Sequence, residues 1–136
     1  MKKVSFTLIF LMVFALAHSS DWVPFDSFYK DLKKATNTES LVDTPVEVSG
    51  VVTDVMENHD VEAFGNVKYV VEIKKASDLY VNVGTDDDVV SIKDGDLVTA
   101  YGYYTNCLVI RTAAEDSSVW VIEAIKVNLR DGHIKK

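Results

Sequence analysis

The chain of 136 residues contains a single cysteine, and this scarcity limits how it can be stabilised. With Cys107 alone, no disulfide can form within the chain, so the folded domain depends on its hydrophobic core. We interpret Cys107 as a small buried apolar residue, in preference to a reactive thiol or the site of an intermolecular disulfide.

Basic residues are also scarce, because 14 Lys and Arg stand against 21 Asp and Glu, and only Arg111 and Arg130 are arginines. Nucleic-acid binding relies on basic side chains that displace counterions from phosphates, so this composition disfavours a nucleic-acid partner. A nuclease would further need clustered carboxylates and basic groups around a charged transition state. No other catalytic motif stands out, and we expect a protein without enzymatic activity.

The first twenty residues have the features of a signal peptide. Lys2 and Lys3 precede an uncharged and mostly apolar run, Val4 to Ala17, which ends in the small-residue pattern Ala15-Leu16-Ala17. The run is short for a transmembrane helix, which needs about 20 residues. We predict a signal peptide at 1–20 and export to the periplasm, the cell envelope or the medium. After cleavage we expect no membrane span, and no lipoprotein anchor since no cysteine follows.

A helix is predicted next, within the region 21–44 that precedes the strands. Phe25, Phe28 and Leu32 recur at steps of three and four residues, while Asp26 lies early and lysines follow. The pattern favours a helix between Pro24 and Leu41, in which Asn37-Thr38 indicates a stop. Asp43-Thr44-Pro45 then breaks the chain before the first strand.

After Pro45 the apolar residues recur at every second position, which is typical of half-buried strands. Glycine within such a strand allows the bend that a small barrel needs. We predict one domain over 45–129, followed by a frayed charged tail at 130–136. The predicted strands are Val46–Thr53, Val67–Lys74, Leu79–Val83, Leu97–Tyr104 with a continuation after a turn at Thr105-Asn106, and Val119–Val127.

Three stretches resemble parts of a known family. Ile92 to Gly102 resembles the turn and glycine-bent fourth strand of OB-fold domains, Val119 to Val127 their closing strand, and Val46 to Val52 their first strand. With the preceding helix, the chain resembles the exported tRNA-anticodon-binding-like group of OB-fold proteins. The resemblance implies a mainly β fold, a small five-stranded Greek-key barrel. One departure is that Thr85 to Ser91 is too short and acidic for the helix many OB-folds place there.

OB-folds bind oligonucleotides, oligosaccharides or proteins across their second and third strands, and aromatic rings can serve as contacts there. We predict a monomeric binding module that contacts a protein or a cell-envelope glycan through this face. The predicted ligand-binding residues are Tyr69, Lys74 and Tyr80, together with Tyr104 and Trp120.

Two alternatives to this binding module remain open, a calcium-binding protein and a ring-forming subunit. A zinc site is not expected. The acidic run Asp86, Asp87 and Asp88 could hold Ca²⁺ in a stress-responsive envelope protein, although it lacks the spacing of an EF-hand. Some toxin subunits that assemble into rings share this fold, so a ring-forming subunit is the other alternative. The three histidines, at 18, 59 and 133, are too dispersed in sequence for zinc spacing.

Overall fold

The computed structural model describes residues 21–113 and 119–136. The predicted signal peptide at 1–20 lies outside the described residues. Within the described part, no helix is both long and apolar enough to cross a membrane. The helices are α1 (Phe25–Lys34), a 3-10 turn (Thr38–Leu41) and the single-turn α2 (Val61–Phe64). The strands are β1 (Val23–Pro24), β2 (Pro45–Glu57), β3 (Tyr69–Ala76), β4 (Leu79–Thr85), β5 (Leu97–Ala113) and β6 (Trp120–Lys135).

The strands form one mixed sheet whose hydrogen bonding runs round in a ring. Their order is β1-β2-β3-β4-β6-β5, and β5 pairs again with β2, from Pro45 opposite Tyr103 to Val51 opposite Leu97. The pairs β1–β2 and β4–β6 are parallel, and the other pairs are antiparallel. A mainly β fold with an N-terminal helix is therefore confirmed.

Alternate residues of the strands point into one hydrophobic core. Phe25, Phe28 and Leu32 of α1 are buried against it, so the helix docks through the face that the spacing predicted. Full burial of a side chain such as Phe28, which is 1% exposed, contributes about 1.5–3 kcal/mol. The strands supply mainly branched residues, among them Val46, Val48, Val52, Val71, Ile73, Val81, Val83, Val98, Val127 and Leu129.

Three predicted boundaries are wrong. The α-helix ends at Lys34, and β5 passes through Thr105-Asn106 without a turn, because a register shift between Tyr104 and Asn106 absorbs the irregularity. The predicted tail at 130–136 is not frayed: β6 continues to Lys135 and pairs with β5. Its charged residues alternate with buried Gly132 and half-buried Ile134, so the charges mark an exposed strand face.

Beyond the ring, β5 and β6 continue as a two-stranded extension, which we call the apolar arm (Leu108–Ala113 and Trp120–Ala124). β5 pairs with β2 only up to Tyr103, and β6 pairs with β4 only from Ile125, so among the described residues each strand of the arm has one free edge. The arm and the adjoining Val119 carry most of the exposed large apolar side chains: Leu108, Val109, Ile110, Val119, Trp120, Val121 and Ile122.

Candidate functional site

A groove of about 480 Å³ lies on the outer face of β3, β4 and β6. Its floor is formed by Val70, Glu72, Asn82 and Asn128, which alternate with the core residues of the same strands. The strand pairing places Glu72 opposite Asn82 and Asn82 opposite Asn128. The register therefore carries a row of polar side chains across three neighbouring strands.

The connection between β2 and β3, residues 58–68, forms one wall of the groove and is held by specific contacts. The Asp60 carboxylate accepts a hydrogen bond from the Ala63 backbone N–H at 3.1 Å and so caps α2. The Asn58 side-chain amide donates to the carbonyl oxygens of Gly65 and Val67 at 3.0 and 2.9 Å. Thr105 Oγ1 donates to the Ala63 carbonyl at 2.7 Å. The first three hydrogen bonds hold the segment 58–68 in its own conformation, and the bond from Thr105 attaches it to β5.

A chain of asparagines occupies the floor. Asn128 Nδ2 donates to Asn106 Oδ1 at 2.7 Å, and Asn82 Nδ2 donates to Asn128 Oδ1 at 3.2 Å. Asn82 and Asn128 are only 7% and 3% exposed. Among the described residues, Asn82 Oδ1 has no hydrogen-bond donor, although it is buried. A buried acceptor without a donor is costly, so a small movement of the floor that uncovers this oxygen would let it accept from a group in the groove.

The groove is electronegative. Four carboxylates line it, and Lys126 is the one Lys or Arg among its lining residues, which leaves three net negative charges with His59 neutral. Glu72 is the most enclosed of these acids, with 15% of its side chain exposed; it accepts from Thr53 Oγ1 at 2.9 Å and pairs with Lys126 at 3.3 Å. The remaining acids, Asp54, Glu57 and Asp60, lie on the rim and the loop wall.

Two of the predicted binding residues lie beside this groove. Lys74 and Tyr80 are opposite each other on β3 and β4, and Tyr80 is opposite Lys126 on β6. The Lys126 ammonium lies 6.0 Å from the centre of the Tyr80 ring. The geometry thus brings Lys74 and Tyr80 to the outer face, next to the polar row.

The other three predicted residues do not join them. Tyr69 is half-buried and packs against the core, because it shares the inward face of β3 with Val71. Tyr104 is 1% exposed and its ring centre lies 5.0 Å from that of Phe28, so it is a core residue. Burial is the main cause of its raised pKa. Trp120 is 69% exposed but belongs to the apolar arm and is not among the residues lining the groove.

The acidic run does not gather into a metal site. Asp86 accepts from the Lys68 N–H at 2.8 Å, Asp87 from the Ile134 N–H at 2.9 Å, and Asp88 from the Val90 N–H at 3.0 Å. Each carboxylate therefore tethers a different stretch of backbone. In the part of the chain that the structure describes, no group of three or more His, Cys, Asp or Glu residues is arranged to hold a metal ion.

Sequence reasoning missed the polar row itself. Glu72, Asn82, Lys126 and Asn128 occupy the positions between inward-facing apolar residues, which alone indicates only a solvated strand face. The polar row can be recognised only once the strand pairing is known, because the register is what shows that these residues are neighbours.

Comparison of the chain with protein-family models, curated proteins and solved structures gave no significant match.

Proposed function

We propose that the chain is an exported, non-enzymatic binding module of OB-fold type, which contacts a protein or a cell-envelope glycan through the outer face of β3 and β4. The observation that carries this proposal is the groove on that face, whose buried floor contains Asn82 Oδ1, an acceptor with no donor in the described part of the chain. A preformed concave site with a few fixed polar groups is the usual form of a ligand site.

The strand arrangement supports the OB-fold part of the proposal. The five long strands follow the cyclic order β2-β3-β4-β6-β5 and return to β2, with β4 and β6 parallel. OB-folds bind ligands on their second and third strands, between the loop that joins strands one and two and the loop that joins strands four and five. The groove occupies the corresponding place, because β3 and β4 supply its floor and residues 58–68 one wall.

A site-specific crosslinking experiment tests the function. A photoreactive amino acid is placed at Met56, which lines the groove and is 36% exposed, or at Asp31, which is exposed on α1. The full chain is produced in its own host, irradiated, and its adducts are identified by mass spectrometry. We expect one defined protein or glycan adduct from position 56 and none from position 31. No adduct, or equal adducts from both positions, would contradict the proposal.

Self-association is a second candidate function, and the apolar arm favours it. The arm and Val119 beside it hold seven exposed large apolar side chains. Over the two faces of the ribbon these side chains present on the order of 700 Å², against the ~800 Å² that each partner of a standard interface buries. The free edge of β5 can pair antiparallel with the same edge of a second copy about a two-fold axis. The occupant proposed for the arm is therefore another copy of this chain.

The mass of the full chain in solution tests this candidate. We expect a dimer or a larger closed assembly that becomes a monomer when Ile110 and Ile122, both exposed on the arm, are replaced by threonine. A monomeric wild-type chain would contradict self-association, as would an assembly that the double variant leaves intact.

A further inference from the structure

The groove has the charge and the hydrogen-bonding polarity of a site for a cation, and this inference rests on the proposed function. Four carboxylates and one lysine line it, and of these acids Glu72 pairs with the lysine, Lys126, at 3.3 Å. A cleft lined by charge of one sign focuses the field and raises the local concentration of ligands of opposite sign. An anionic ligand would meet repulsion here, and a neutral one would gain nothing from the net charge.

The free polar groups of the groove are mostly acceptors. Asn82 Oδ1 receives no hydrogen bond from residues 21–113 or 119–136, and ionised carboxylates only accept hydrogen bonds. Guanidinium and ammonium groups are the complementary type, since they carry several N–H donors and no acceptor. A sugar hydroxyl can also donate to Asn82, but it brings no charge for Asp54 or Glu57.

Apolar side chains in the groove point to a cation carried on a hydrocarbon stem. Met56, Phe64 and Leu108 line it together with the acids. Lysine and arginine side chains bury their methylene stems along apolar surface while the charged head finds polar partners. A bare inorganic cation would leave these contacts unused.

We propose that the groove binds a lysine or arginine side chain from a basic segment of a partner protein. The cationic head lies between Asn82 Oδ1 and the carboxylates, and the methylene stem lies along Phe64 and Leu108. A free polyamine carries the same chemistry, so the experiment includes one as the alternative source.

Calorimetric titration of the full chain tests the proposal with three probes. They are the peptide Ac-Gly-Arg-Gly-Arg-Gly-NH₂, the same peptide with citrulline in place of arginine, and spermidine. Citrulline keeps the shape of arginine and removes its charge. We expect the arginine peptide to bind at least about tenfold more tightly than the citrulline peptide, and to weaken as salt is added.

Charge-matched variants locate the binding. Replacing Asp54 by Asn and Glu57 by Gln together removes two rim charges and leaves the buried floor unchanged. We expect this pair to weaken the arginine peptide by about fivefold or more. The control pair Asp31→Asn and Asp94→Asn removes two exposed charges elsewhere, and we expect a change below about twofold. Melting curves confirm that both proteins remain folded.

Several results would overturn the proposal: equal binding of arginine and citrulline peptides, equal losses in the two variant pairs, or binding of spermidine without the peptide. Its failure is separable from that of the proposed function. If a partner is crosslinked from position 56 through a neutral or acidic segment, the proposed binding function stands and the proposal of a basic ligand is wrong. The absence of any such adduct would reject the module itself.

Discussion

Gly84 on β4 lies so close to Phe64 that a Cβ added to the glycine would come within 2.5 Å of both the Phe64 Cβ and its carbonyl oxygen. The contact joins the floor strand of the groove to the loop that forms its wall. Backbone cannot move aside as a flexible side chain can, so this approach is possible only with glycine at position 84.

Replacing Gly84 by Ala should therefore displace the wall of the groove. We expect a loss of about 1–3 kcal/mol in the free energy of unfolding, typical of overpacking, together with weaker binding at the groove. Denaturant unfolding and peptide titration measure the two effects. Gly95→Ala is the matched control: Gly95 has φ +96° and open space around it, so the substitution strains the backbone without touching the groove. Unchanged binding in Gly84→Ala would show that the wall does not depend on this contact.

Asn128 holds the floor, because its side chain donates to Asn106 and accepts from Asn82. Asn128→Ala leaves both partners without their bond in a site that is 3% exposed, and we expect a cost of about 1–3 kcal/mol in unfolding free energy. Asn106→Ala removes only one of these bonds, and because residue 106 is exposed, water can take the place of its amide oxygen as the acceptor for Asn128. The cost should then stay below about 1 kcal/mol. Equal losses of unfolding free energy in the two variants would contradict the central position of Asn128 in this hydrogen-bond chain.

The two tyrosines Tyr104 and Tyr80 should respond in opposite ways to truncation. Tyr104→Ala empties a core position against Phe28 and should cost about 3–5 kcal/mol in unfolding free energy. Tyr80→Ala, on the outer face, should cost about 1 kcal/mol or less and should instead weaken binding at the adjoining groove. Tyr104→Phe is the control that keeps the ring. A large stability loss for Tyr80→Ala with unchanged binding would reverse the assignment.

Cys107 should react slowly with alkylating reagents. Burial raises the pKa of its thiol, and the thiolate is the reactive form, so less of it is present at a given pH. At pH 8 we expect alkylation by iodoacetamide at least about fivefold slower in the folded protein than in urea, with the rate still rising above the ordinary thiol pKa. Equal rates in the folded and unfolded protein would show an accessible thiol.

The sequence was sufficient to predict the elements that local pattern controls. The steps between Phe25, Phe28 and Leu32 predicted the face of α1, and the alternation after Pro45 predicted β2. Alternation along β4, where Leu79, Val81 and Val83 face the core, likewise leaves Tyr80 on the opposite face. The pattern did not reveal that Tyr104 continues the inward alternation of Val98 and Ala100.

Features that depend on contacts between distant segments were not predictable in this way. Residues 130–135 are charged and look like a frayed tail, yet pairing with Thr99 to Tyr103 makes them a strand. The groove likewise depends on the register between Glu72, Asn82 and Asn128, which are separated along the chain. No local pattern encodes that juxtaposition.

Binding of a cationic side chain in the groove is tested by recording NMR spectra of the full ¹⁵N-labelled chain as the arginine peptide is added. The side-chain amide groups of Asn82 and Asn128 report on the floor of the groove, and Gly95 reports on a distant turn. We expect saturable shifts of both asparagine side-chain signals and no shift at Gly95. Shifts confined to residues outside the groove, or none at all, would contradict this binding.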